Sequence, residues 1–137
     1  MPKLHSFLFV IHKATADTKS QAETWCKKQK LLWYVIALEP YIKKDEKDGF
    51  HLHLMFRVPH PRSPTAIVKL FMNLFDRPRE DIWSERLQGR FKDQINYVTN
   101  EYAGEHADDP KVLDPSPIIW PQGEDPDEVK PKVSIKD

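Results

Sequence analysis

The chain holds a single cysteine, Cys26, so no internal disulfide and no cysteine cage for zinc can form. Any bound metal must be gripped by His, Asp or Glu. No apolar run approaches the ~20 residues that a membrane-spanning helix needs, and the first residues do not resemble a signal peptide. An intracellular protein without a membrane partner is the expectation. Internal repeats are absent. So is any net charge, since 21 Lys and Arg balance 21 Asp and Glu. That balance conceals an asymmetry: residues 1–103 carry 17 basic against 12 acidic side chains, whereas residues 104–137 carry 4 against 9. A basic body of this kind is permissive of a polyanionic partner.

What is present fits one modest core. Six of the twelve prolines fall from Ala103 onward, in acidic sequence with no period beyond Ile118–Trp120. The chain therefore divides into a domain over 1–103 and a C-terminal tail over 104–137, read as an extended linker. The competing reading folds Ile118, Ile119 and Trp120 back on the domain as a latch.

Before the tail the pattern is regular. Leu4–His12 is apolar and β-rich, and a helix follows over Thr18–Lys30, with Asp17 as its expected cap and Ala22, Trp25, Cys26 and Gln29 on one face. Leu31–Glu39 is the near-continuous apolar run of a strand covered on both sides. A polar loop, Tyr41–Gly49, leads from it into an antiparallel partner over Phe50–Val58. Ser63-Pro64 starts a second helix, with the hydroxyl as cap and Ala66, Ile67, Leu70, Phe71 and Leu74 as its stripe. Asp81–Leu87 is a short strand. Arg90–Tyr102 is a last helix, with Phe91, Ile95, Val98 and Tyr102 on one face. The order βαββαβα predicts an α+β protein: a ferredoxin-like split βαβ, with an antiparallel sheet and helices packed against it.

The chemistry concentrates in HLHLMFRV. Residues two apart on a strand share a face, so His51 and His53 project together with Met55 and Arg57, while Leu52, Leu54, Phe56 and Val58 point into the core. Two imidazoles so placed can hold one divalent cation; the alternative is a solvated sheet face. Glu39 ends the preceding strand and can complete a His-His-Glu set if the register allows; otherwise it is a solvated strand end. Tyr97 lies about 130° from the centre of the last helix's apolar stripe, on the polar side with Gln94 and Asn100. A phenol there is either an interface residue or a nucleophile for a metal-polarised phosphate.

These residues resemble the HUH superfamily of rolling-circle replication initiators, especially the Rep nuclease domains of small circular single-stranded DNA viruses and related plasmids. HLHLMF is similar to the His-hydrophobic-His motif, Tyr97 in NYVTNEY to the catalytic tyrosine motif, and FLFVIHKAT more loosely to the origin-recognition motif. The likeness spans residues ~4–102 in order and spacing. Asn100 stands where the family usually has lysine, with Lys92 and Arg90 as substitutes, and Val10 stands where Thr is usual.

The resemblance implies a nuclease domain over 1–103 that binds Mn²⁺ or Mg²⁺ through His51, His53 and Glu39. Tyr97 would nick single-stranded DNA at a replication origin. The helicase domain that viral initiators often append would lie outside these residues, and oligomers would form through it. The place of action would be the host nucleus if the replicon is a eukaryotic virus.

Lys13, Arg57, Arg62, Arg90, Lys92 and Asn100 are the expected DNA contacts, with Lys43, Lys44, Arg77, Arg79 and Arg86 as further cations. Trp33, Tyr34, Phe50 and Trp83 sit in or beside apolar strands and are expected in the core rather than as base-stacking platforms. The alternative function is a single-stranded nucleic-acid-binding module that does not cleave. A cupin-like site would need a further Glu soon after the His pair and an all-β chain, and the sequence offers neither.

Overall fold

Each apolar segment of strand period becomes a strand in the computed structural model, which describes residues 3–40, 49–87, 89–99 and 113–122. The order is β1 (Leu4–Ala14), α1 (Ala16–Lys28), β2 (Trp33–Pro40), β3 (Phe50–Arg62), α2 (Pro64–Phe75), a 3-10 turn (Arg79–Asp81), β4 (Ile82–Glu85), α3 (Phe91–Thr99) and β5 (Ile118–Trp120). The strands lie side by side as β4-β1-β3-β2-β5, and every neighbouring pair is antiparallel. This is the expected α+β architecture, with β3 slotted between β1 and β2. No helix among the described residues is long and apolar enough to cross a membrane.

Strand alternation sorts the side chains into two layers. Phe7, Phe9, Ile11, Tyr34, Ile36, Leu52, Leu54 and Phe56 share one face with the buried sides of α1 and α2. There Trp25 meets Phe56, and Phe71 meets Phe9, edge to face. Cys26 lies in this layer, where burial pushes its thiol well above the usual range and leaves it a packing residue. The other face is covered as well: Trp33, Val35, Ala37 and Met55 meet Phe91 and Val98 of α3. Where α3 covers it, the histidine side of the sheet is thus a second apolar layer rather than a solvated face.

Helix boundaries depart from expectation in three places. The cap of α1 is Thr15 rather than Asp17; its hydroxyl accepts from Thr18 N–H, and the Thr18 hydroxyl accepts from Thr15 N–H. Ser63 precedes α2 with no side-chain cap bond, so Pro64 supplies the start by its fixed φ, and Ala66 is exposed off the buried stripe. In α3 the buried set is Phe91, Gln94 and Val98, with Ile95 half-buried, which swings the covered face toward Gln94 and Tyr97. Residues 41–48, expected as a loop and including Lys43 and Lys44, and also Asn100 and Tyr102, lie outside the described residues.

Part of the tail belongs to the sheet. Ile118–Trp120 pairs with Tyr34–Ile36, and Trp120 stacks on Tyr34 at 5.4 Å. The latch, not the linker, is what these residues form. Its anchor is Asp114, whose carboxylate accepts from Leu38 N–H (2.8 Å), Lys19 Nζ (2.7 Å) and Ser116 N–H (2.9 Å). Burial opposes the charge of this carboxyl, but the bonds from Leu38, Lys19 and Ser116 prevail and hold it below the ordinary carboxylate range.

Asp114→Ala leaves Leu38 N–H and the part-buried Lys19 ammonium without this acceptor, and urea unfolding should show a loss of about 1–3 kcal/mol. Because the folded-state pKa is depressed, that contribution is present above the ordinary value of ~3.9 and vanishes as pH falls through the lower one. Wild type and variant should therefore differ at neutral pH and converge in strong acid.

β1 carries one residue more than β3 between its pairings Ile11↔Leu52 and Ala14↔Phe50, a bulge at His12 and Lys13. Lys13 sits at φ 55°, in the left-handed region that a lysine rarely adopts. The strain is held in place from outside, since Arg77 Nη2 donates to Lys13 O at 2.8 Å.

Candidate metal centre

The register of β2 on β3 decides the site. Glu39 pairs with His51 and Ala37 with His53, so the carboxylate lies on the histidine face, between the two rings. Glu39 Oε1 is 3.5 Å from His53 Nε2 and 4.0 Å from His51 Nε2. The imidazoles stand nearly perpendicular with centroids 4.6 Å apart. One ligand atom from each of the three residues falls within 4.8 Å of the others. Adjacent ligands of a cation with bonds of ~2.1 Å lie about 3 Å apart, so shifts of roughly 1 Å or less would close the set on an ion. The donor chemistry, two nitrogens and one carboxylate, suits a borderline or hard divalent cation.

Burial sharpens the argument. Glu39 is 3 % exposed, where an uncompensated carboxylate is costly, and the two imidazole Nε2 atoms surround it. His53 is buried and His51 half-buried, so the cluster opens to solvent past His51 rather than through the sheet. The arrangement can bind a metal ion while keeping one side accessible.

Tyr97 comes to the cluster from α3. Its ring meets His53 edge-on with centroids 5.6 Å apart, and the residue is 37 % exposed. Burial, then the charges of Glu39 and Glu85, raise its pKa, so the phenol keeps its proton at neutral pH in the metal-free protein. A cation beside Glu39 would cancel one of these opposing charges.

The other expected contacts are scattered. Arg57 shares the histidine face but lies four residues along β3, where its guanidinium donates to Ser6 Oγ at 2.8 Å. Lys13 is exposed on the bulge with Nζ 3.5 Å from Asp81. Arg90 and Lys92 are exposed at the start of α3, the element that carries Tyr97. Arg62 is at the far end of β3, nine residues and roughly 30 Å of strand from His53, so the structure does not bring it to the site.

Of the aromatic candidates, Trp33 and Tyr34 are buried as expected, but Phe50 and Trp83 are exposed. Phe50 lies on the α1/α2 side by its alternation with His51, and Trp83 lies on the histidine side. Alternation along Ile82–Glu85 carried that signal: with Ile82 turned into the core, Trp83 had to point the other way. Val10, at the position where the resembled family usually has Thr, is buried between His53 and Trp83 on neighbouring strands.

Fold and site together define an α+β protein with a buried Glu-His-His cluster able to hold a metal ion. No family model and no curated protein matches the chain.

Proposed function

We propose that this protein is a metal-dependent single-strand DNA endonuclease and strand transferase that nicks a replication origin through Tyr97. The observation that carries the reading is the phenol ring of α3 packed nearly perpendicular to His53, a member of a three-residue cluster that could hold a cation. A divalent ion there, Mn²⁺ or Mg²⁺, would supply positive charge to the scissile phosphate.

The chain's own groups do the rest. Glu39, His51 and His53 would hold the ion from two adjacent strands, and α3 brings the Tyr97 ring, which carries the phenolic oxygen, against His53. That oxygen bonds to phosphorus while the bond from phosphorus to O3′ breaks. The phenolic proton passes to water and O3′ takes one up, leaving a 5′-phosphotyrosine and a 3′-hydroxyl. One phosphate ester replaces another, so the step runs in reverse as strand joining and needs no nucleotide triphosphate. Lys92, on the helix of the nucleophile, and Arg90, which immediately precedes it, are exposed and would meet flanking phosphates.

The test is incubation with labelled single-stranded origin-like DNA and Mn²⁺. A protein–DNA adduct that survives denaturation is expected, and EDTA should abolish it. Binding without cleavage or adduct on every strand tried would mean a non-catalytic binding module instead.

A further inference from the structure

One row of side chains crosses the histidine face from strand to strand: Trp83 on β4, Val10 on β1, His53 on β3 and Ala37 on β2, each the register partner of the next. Trp83 is two strands from His53, roughly 10 Å at the usual spacing of ~4.8 Å. It is 52 % exposed, although two of its neighbours hold it in place. Its indole N–H donates to Glu80 O at 3.0 Å, and the His12 ring packs on it edge-first with centroids 4.4 Å apart. The backbone beneath is braced by Arg79, whose Nη1 donates to Ile82 O at 2.9 Å. His12 is delivered to the indole at the β1 bulge, where the extra residue breaks the register.

A large apolar ring kept both exposed and oriented has already given up the freedom that a stacking partner would otherwise cost it. Among the described residues the other exposed tryptophan and phenylalanine, Trp120 and Phe50, are on the opposite face.

We propose that Trp83, backed by His12, is a stacking platform for an unpaired base of the nucleic-acid strand whose phosphate lies at Glu39, His51 and His53. The proposal rests on the reading of this protein as a single-strand DNA nickase and adds to it the residue that grips the flanking nucleotide. Such platforms accept any base by its flat face, so Trp83 contributes affinity and strand placement rather than sequence choice.

The test measures binding apart from cleavage. Fluorescence anisotropy with a labelled mixed-sequence single strand, in EDTA, should show Trp83→Ala weakened by about 10-fold or more and Trp83→Phe close to wild type. Trp120→Ala, on the opposite face and 45 % exposed, should bind as wild type does. An abasic strand of equal length should bind wild type and Trp83→Ala alike, because it has no base to stack. Equal affinities of wild type and Trp83→Ala for the normal strand overturn the proposal, as does an equal loss in Trp120→Ala or no binding by wild type. Failure of the covalent adduct with Trp83-dependent binding intact would sink the nickase reading and leave the platform standing. An adduct formed alongside Trp83-independent binding would do the reverse.

Discussion

Replacing Tyr97 by Phe should eliminate the denaturation-resistant DNA adduct and lower strand cleavage by roughly 10³-fold or more, since Phe has no oxygen to form the ester. The substitution removes one oxygen from a side chain that is more than one-third exposed, so the fold should change in stability by less than about 1 kcal/mol. Metal binding should survive, because the phenol is not among the three clustered ligands. The decisive comparison is therefore a double readout. Mn²⁺ should still raise the melting temperature of Tyr97→Phe as it does that of wild type, while denaturing gels of the DNA reaction lose the shifted band. Equal adduct yields from the two proteins would show that another residue attacks. Loss of the metal-induced thermal shift would show that the phenol supports the cluster instead.

Glu39→Gln should act at the other end of the same chemistry. It keeps the shape of the buried side chain and removes the carboxylate, so only the two imidazoles remain to face a divalent cation. The expected loss in Mn²⁺ affinity is at least the roughly 10–100-fold seen when only an outer-sphere partner of a metal ligand is lost. At a metal concentration of ~100 times the wild-type dissociation constant, wild type should gain about 2.7 kcal/mol of stability and Glu39→Gln much less. Calorimetric titration and metal-dependent melting curves check this, and cleavage should fall in step with occupancy. If Glu39→Gln binds Mn²⁺ as tightly as wild type, the carboxylate is a structural partner of the histidines and the metal assignment fails.

The parts of this site that could be read from sequence were those fixed by local periodicity. HLHLMFRV alternates so cleanly that the shared side of His51 and His53 followed from the pleat alone. Glu39 could be nominated, but its arrival between the rings depended on the pairing Glu39↔His51, which a sequence does not print.

Elsewhere tertiary contacts overrode local signals. Nothing near Asp114 announces that its carboxylate will clamp β2, because its partners Lys19 and Leu38 are remote in the chain. The helical wheel of α3 put Gln94 among solvent-facing residues, yet packing against β2 and β3 buries it. Trp83 was misjudged for a related reason: a four-residue strand is too short for its period to outweigh the pull of a large apolar side chain toward the interior.

The pairing of β5 with β2 also governs how the molecule behaves in company. Without that short outer strand, the Trp33–Pro40 segment would offer a long, almost wholly apolar margin with its amides and carbonyls turned outward, a ready template on which other chains could nucleate fibrils. Three residues of Ile-Ile-Trp close that margin and leave only a stub, while the opposite border is a four-residue strand ending in Glu85 and followed by Arg86. Protection of that margin is thus written into the stretch 113–122, whose Asp114 also holds Leu38, the neighbour of Glu39.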